Sequence, residues 1–332
     1  MRIGLIGAGR IGAFHAETLA GLPAVTGVVV GDADPARARL VADKVGGTPT
    51  DDVLGAGVDG VVIAAPTSAH ADLIGAAAAA GLPVFCEKPV AADVAGTRAV
   101  LARVAAAGVP LHVGFQRRFD AGYAAVRHAV RSGRLGWLHT LRASTCDPQP
   151  PHADYIPTSG GIFRDCAVHD FDAIRWVTGR EIVEVYATGA NRGEAFFAVA
   201  GDVDTAAATL TLDDGTLAVC TASRYNGAGY DVRLEACGSA GMLAAGLDDA
   251  APLVSAEAPG WPAGRPYRGF VERFRFAYAA ELAAFCEVVQ GRRPSPCTGE
   301  EALAALLVAE AADLSRREHR PVAVAEVVGD VR

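Results

Sequence analysis

Along the first 113 residues, short apolar runs alternate with segments whose apolar positions recur every three or four residues. The runs at 2–6, 25–30, 58–64, 84–86 and 111–113 predict buried strands. The segments between them predict helices over 11–22, 35–45, 70–80 and 93–107. Ile11, Phe14, His15, Leu19 and Leu22 mark the face of the first, and Pro23 stops it. Pro35 opens the second, which Gly46-Gly47 ends. Alternation of this kind predicts an α/β domain whose doubly wound parallel sheet carries helices on both faces.

Beyond residue 118 the pattern changes. Runs at 135–146, 182–188, 203–212, 216–223 and 231–237 follow one another with little helix between them. Asp213-Asp214-Gly215 reads as a hairpin turn between two of them. These predict an α+β domain with a large open, mainly antiparallel sheet. Helices over 270–290 and 299–317 close the chain. The expected division is therefore 1–118 and 119–332, with no internal repeat.

Composition narrows the class. Half the residues are apolar and a fifth are charged, an ordinary globular balance. A net charge of −8 without any Lys/Arg block argues against nucleic acid or an anionic membrane as the main partner. No stretch of ~20 apolar residues is present, and a strand beginning at Arg2 leaves no room for a signal peptide. The seven cysteines are scattered and form no Cys-x-x-Cys pair, which fits core thiols in a reducing cytoplasm. The expected partner is a small molecule.

Chemistry enters with Gly7-x-Gly9-x-x-Gly12, which follows the first strand and opens the first helix. The first glycine makes the tight turn, the second admits a pyrophosphate and the third lets helix pack on strand. With Arg10 and Ile11 in that first turn, helix amides face the phosphates. This is the fingerprint of a Rossmann dinucleotide site. Asp32, 20 residues after Gly12, ends the second strand, where a carboxylate accepts hydrogen bonds from a ribose. A carboxylate there repels a 2′-phosphate, and Ala33 offers no phosphate anchor, so NAD is favoured over NADP. Arg37 and Arg39 read as solvated on the helix that Pro35 opens.

Ligands of such sheets bind at the carboxyl ends of the strands. Pro66, Thr67 and His70 stand beyond one end, and Glu87 and Lys88 at another, completing the cofactor-binding candidates. Pro89 restricts Lys88 to extended conformations, which aims its ammonium toward the nicotinamide. Further on, Asp165 and His169 lie four apart in a helix expected from Ile162. A carboxylate at that spacing fixes an imidazole's tautomer and stabilises its charged form. His169 is then the general base for a hydroxyl, and Lys88 steadies the oxygen as charge develops on it. An ordinary i,i+4 pair with solvated Asp170 and Asp172 remains the plain alternative. A metal shared by Asp165, His169 and Asp170 is disfavoured, because consecutive residues point apart.

Together, Gly7-x-Gly9-x-x-Gly12, Glu87-Lys88-Pro89 and Gly160-Gly161-x3-Asp165-x3-His169-Asp170-x-Asp172 resemble the glucose-fructose oxidoreductase/inositol dehydrogenase/rhizopine catabolism (Gfo/Idh/MocA) family over nearly the whole chain. "VGFQRRFD", "CDPQPP" and "GGIFRDCAVHDFD" are most similar to its inositol 2-dehydrogenases. The resemblance implies NAD-dependent oxidation of a secondary hydroxyl of a cyclic polyol, with Lys88, Asp165 and His169 as the catalytic set. It also implies a cis Lys88–Pro89 bond and a homo-oligomer, a tetramer or dimer, built through the C-terminal sheet. Arg118 (or Arg117), Asp147 and Tyr230 are the substrate candidates, Tyr230 because it matches a tyrosine of inositol-type members. Arg118 suits a structural bridge as well, Asp147 a turn cap and Tyr230 a core position. Two departures touch the pocket: Cys146 replaces an expected arginine, and Asn226-Gly227-Ala228-Gly229 makes the approach to Tyr230 small and flexible. The alternatives are a dehydrogenase of another inositol isomer, sugar or glycoside, and a non-catalytic dinucleotide-binding sensor.

Overall fold

Strand β1 (Arg2–Ile6) buries Ile3 and Leu5 completely, at the middle of a six-stranded parallel sheet in the computed structural model, which describes residues 1–329. With β2 (Gly27–Gly31), β3 (Thr48–Pro49), β4 (Gly60–Ile63), β5 (Val84–Glu87) and β6 (Leu111–Gly114), the order is β3-β2-β1-β4-β5-β6. Val61, Val62 and Ile63 are consecutive and all fully buried, so both faces of the sheet are covered. The strand order reverses between β1 and β4, and the loops after these two strands therefore flank the crevice where such sheets take ligands.

This first unit comprises Met1–Gln116 together with Phe276–Leu303. The pattern placed that last segment with the second domain. It sits with the first because the helix Arg275–Val289 buries Leu282, Phe285 and Val288 in the core built by Ile3, Leu5, Val30, Val62 and Phe85. Each such side chain contributes about 1.5–3 kcal/mol of burial. The stripe is legible in the sequence, but periodicity does not say which sheet receives it. The helix expected over 270–290 also breaks at Phe274, between Phe270–Arg273 and Arg275–Val289.

The second unit holds Arg117–Arg275 and, among the described residues, 304–329. Its strands are β7 (Leu138–Cys146), β8 (Ile182–Ala190), β9 (Thr205–Leu212), β10 (Leu217–Ser223), β11 (Asp231–Gly238), β12 (Gly241–Ala245) and β13 (Val322–Ala323). They are ordered β12-β11-β7-β10-β9-β8-β13, with β7 and β10 parallel and every other pair antiparallel. The hairpin at 213–215 joins β9 to β10, with Gly215 at φ +85°. The run expected from 135 enters its strand only at Leu138, because Gly133 and Gly136 both turn with positive φ. Two helices, Ala121–Arg131 and Val168–Thr178, pack on each other and on this sheet. The first was not anticipated; it buries Tyr123, Val126 and Ala129 at three-residue spacing and is capped by Asp120. On the other face, Tyr186, Thr209, Val219 and Arg142 lie side by side in register across β8, β9, β10 and β7, all exposed. Among the described residues, no helix is long and apolar enough to cross a membrane.

Candidate active site

The glycine loop after β1 has the geometry a dinucleotide needs. Gly7 stands at φ +99°, and a Cβ there would lie 2.6 Å from backbone atoms of Ala64 and Ala65 in the loop after β4. A Cβ at Gly12 would lie 1.8 Å from the Gly7 carbonyl oxygen. Gly9 differs: nothing lies within 4 Å of its Cβ position. It is also the N-cap of the helix Arg10–Ala20, so no side chain covers the start of that helix at this position. Tight packing at Gly7 and Gly12 around an open Gly9 fits a pyrophosphate resting on helix amides.

Asp32 follows β2 directly. Its Oδ2 accepts the Ala8 amide at 2.6 Å and its Oδ1 the Asp34 amide at 2.8 Å, so the carboxylate also braces the glycine loop. Two oxygens offer about four acceptor sites, which leaves room for ribose hydroxyls. Arg37 is half exposed, yet its guanidinium reaches within 3.6 Å of both Asp32 and Asp34. It is thus closer to the carboxylate than a merely solvated side chain would be.

The turn carrying Lys88 is held on both sides. Before it, the Oε1 of Glu87 lies 2.6 Å from the Nε2 of fully buried His15. After it, Pro89 follows a cis peptide bond, and the Pro89 carbonyl lies 2.7 Å from the Nδ1 of His70. The other ring nitrogen of His70 faces the Ala65 carbonyl at 2.8 Å. Buried His70 therefore ties the loop after β4 to the turn after β5. Pro66 is exposed as N-cap of the helix Thr67–Ala79, and Lys88 itself is half-buried.

In the second unit the segment from 162 is not a uniform α-helix. A π-helical turn, Phe163–Ala167, carries Asp165 and runs into the helix Val168–Thr178, whose second residue is His169. Such turns recur at functional sites. Both oxygens of Asp165 are held: Oδ1 accepts from the Tyr155 hydroxyl at 2.9 Å and Oδ2 from Arg224 Nη2 at 2.8 Å. Arg224, with 3 % of its side chain exposed, also donates from Nη1 to Asp147 Oδ2 at 3.2 Å. Burial works against the Arg224 charge, but Cys166, Asp165 and Asp147 outweigh it and hold its pKa above the ordinary range. Burial raises the Asp147 carboxyl, with Arg224 opposing. Burial and Asp165 together keep the Tyr155 phenol protonated.

Asp170 and Asp172 are not solvated. Asp170 accepts from Arg117 at 2.5 Å and from the Thr145 hydroxyl at 2.7 Å, and Arg117 donates to Thr145 at 2.9 Å. Arg118 closes a two-pronged pair with Asp172, at 2.9 and 2.6 Å, with both side chains almost fully buried. The sequence assigned Arg118 to the substrate; in the structure this guanidinium edge clamps the helix that carries His169. Tyr230 is buried, and burial raises its pKa, with Arg117 opposing and Asp147 and Cys166 adding to the rise. Asp147, Asp165, Tyr155, Cys166 and Arg224 thus form one network, with Tyr230 and Arg117 near it. Sequence reading missed Arg224 and Tyr155. Neither sits in a motif, and Arg224 is 59 residues from Asp165.

Known proteins resemble this chain over both units. Residues 1–115 match the model "Oxidoreductase family, NAD-binding Rossmann fold", and residues 123–244 match "GFO/IDH/MocA C-terminal domain". A myo-inositol dehydrogenase of Streptomyces leeuwenhoekii is 40% identical, the match covering 93% of this chain and 96% of that protein. The myo-inositol 2-dehydrogenase of Thermotoga maritima is 37% identical over 99% of this chain and 100% of its own. The crystal structure of a scyllo-inositol dehydrogenase from Lactobacillus casei with NAD(H) and scyllo-inositol bound superposes with a TM-score of 0.88. It is 30% identical and covers 98% of this chain and 99% of that one.

Proposed function

Because the chain belongs to the Gfo/Idh/MocA oxidoreductase family, we propose that it oxidises a secondary hydroxyl of a cyclic polyol with NAD, taking myo-inositol to the 2-keto inosose. The observation that carries this reading is the match of almost the whole chain to inositol dehydrogenases, in a sequence that has Lys88, Asp165 and His169 at the positions the mechanism needs. Gly7, Gly9, Gly12 and Asp32 would hold NAD, which when bound supplies the hydride acceptor. His169, whose Nδ1 is buried, takes the hydroxyl proton at Nε2. Asp165 holds the imidazole and balances its charge. Lys88 donates to the same oxygen and steadies it as the carbon–hydrogen bond breaks. The products are a ketone, the reduced cofactor and one proton.

The test is absorbance of the reduced nicotinamide with NAD or NADP and a panel of myo-inositol, scyllo-inositol and glucose. Turnover is expected with NAD and myo-inositol, and weaker turnover with NADP. Turnover on glucose alone would move the substrate outside the inositols. NAD binding without turnover on any compound would leave a sensor.

We propose that the chain assembles with copies of itself through the outer sheet face. The exposed row Tyr186, Thr209, Val219 and Arg142 is continuous across four strands, and Leu217 and Val183 add apolar surface beside it. A second copy of the chain would cover it, and sedimentation at micromolar concentration is expected to show a dimer or tetramer. A monomer would remove this assignment. None of the seven cysteines forms a disulfide, which suits a reducing cytoplasm.

A further inference from the structure

We propose that Arg224 is the positioning residue of the proton-accepting pair: it fixes Asp165 so that this carboxylate can support His169. The inference rests on the reading of Asp165 and His169 given above. Arg224 immediately follows β10, whose last residue Ser223 lies beside Cys146 of β7. Asp147 is the next residue after β7. The parallel β7–β10 pairing therefore brings Arg224 and Asp147 out at the same end of the sheet. The guanidinium spans the gap from Asp147 Oδ2, at 3.2 Å, to Asp165 Oδ2, at 2.8 Å. Its burial leaves little competing solvent, and its planar guanidinium holds one N–H on each carboxylate at a fixed separation. Tyr155 pins the other oxygen of Asp165 from the far side at 2.9 Å.

The arrangement has an electrostatic purpose. Asp165 faces Tyr155 from the turn at 153–155, Arg224 from the end of β10, Asp147 from the end of β7, and Cys166 and His169 on its own helical segment. Arg224 is the cation among these that bonds both carboxylates. Without it, two carboxylates share a partly buried pocket, and one tends to take up a proton. A protonated Asp165 no longer balances an imidazolium.

The experiment compares Arg224→Ala, Arg224→Lys, Tyr155→Phe and Asp165→Asn as full-length protein, with active chains counted by NAD binding. Arg224→Ala is expected to lower kcat about 10²-fold per NAD-binding chain, the scale of a misplaced catalytic group, with KM for NAD unchanged. Its acid limb of kcat against pH is expected to move to higher pH. Arg224→Lys keeps the charge but loses the fork, so it should return the limb to the wild-type position and recover only part of kcat. Tyr155→Phe, at a half-exposed site that does not endanger folding, should lower kcat roughly three- to tenfold, the scale of one hydrogen bond. Wild-type kcat and an unmoved limb in Arg224→Ala would overturn the proposal. Should that variant not fold, wild-type kcat in both Arg224→Lys and Tyr155→Phe would overturn it. Asp165→Asn separates the two levels. If it retains activity, the underlying assignment of the pair fails; if it loses activity while the Arg224 variants do not, only the role of Arg224 fails.

Discussion

A His169→Ala enzyme is expected to lose about 10²- to 10⁴-fold in kcat on myo-inositol, the range of a general base, while binding NAD as before. His169 is half-buried at the start of the helix Val168–Thr178, and it belongs to the second unit, whereas the glycine loop and Asp32 belong to the first. The variant keeps every residue assigned to the dinucleotide. The acid limb of the pH profile should flatten, because the group that has to be unprotonated is gone. Lys88→Ala should lose about 10²- to 10³-fold, the scale of one donor to a developing oxyanion. Its backbone is braced by Glu87–His15 and Pro89–His70, so the loss would come from the ammonium and not from a collapsed turn. Stopped-flow and steady-state traces of cofactor reduction give both numbers. A His169→Ala protein with wild-type kcat and acid limb would place the base elsewhere and end the alcohol-oxidation mechanism as written.

Truncating Arg118 or Asp172 to alanine should destabilise the second unit by about 3–5 kcal/mol, because each leaves the other charge buried and alone. Asp172 is fully buried and Arg118 is 5 % exposed, and both oxygens of the carboxylate are engaged. Replacing the pair together by Met and Leu should recover most of the loss, since the desolvation of two ions then disappears with their attraction. Urea unfolding followed by far-UV circular dichroism measures this, and substrate KM is read on the same variants. The sequence pointed Arg118 at the substrate. A raised KM with unchanged unfolding midpoint in Arg118→Ala would restore that reading and remove the clamp. The neighbouring Arg117–Asp170–Thr145 cluster secures the same helix from the adjacent position, so the two clamps together fix where His169 stands in its unit.

The parallel sheet was legible because its strands are buried on both faces and therefore read as unbroken apolar runs, as in Val61–Val62–Ile63. The dinucleotide loop was legible because its demands are local: a positive φ at Gly7 and a forbidden Cβ at Gly12 leave glycine alone at those places. The hairpin at 213–215 and the i,i+4 spacing of Asp165 and His169 are local in the same sense. Other features were not local. Leu282, Phe285 and Val288 form a stripe that any sheet might receive, and only the packed core assigns it to the first unit. Asp170 and Asp172 look like solvated charges until Arg117 and Arg118, more than 50 residues earlier, are brought against them.

By itself, then, the sequence determined the backbone of most segments, though not of the helix Ala121–Arg131 or the π-helical turn Phe163–Ala167, and which residue types carry the chemistry, because propensity, turn geometry and glycine sterics act within a few residues. Tertiary structure alone decided the partners of the buried charges: Arg224 for Asp165 and Asp147, Arg118 for Asp172, His70 for the carbonyls of Ala65 and Pro89. A buried ion or imidazole needs compensation wherever the chain can supply it, and spatial proximity, not sequence distance, sets which group answers.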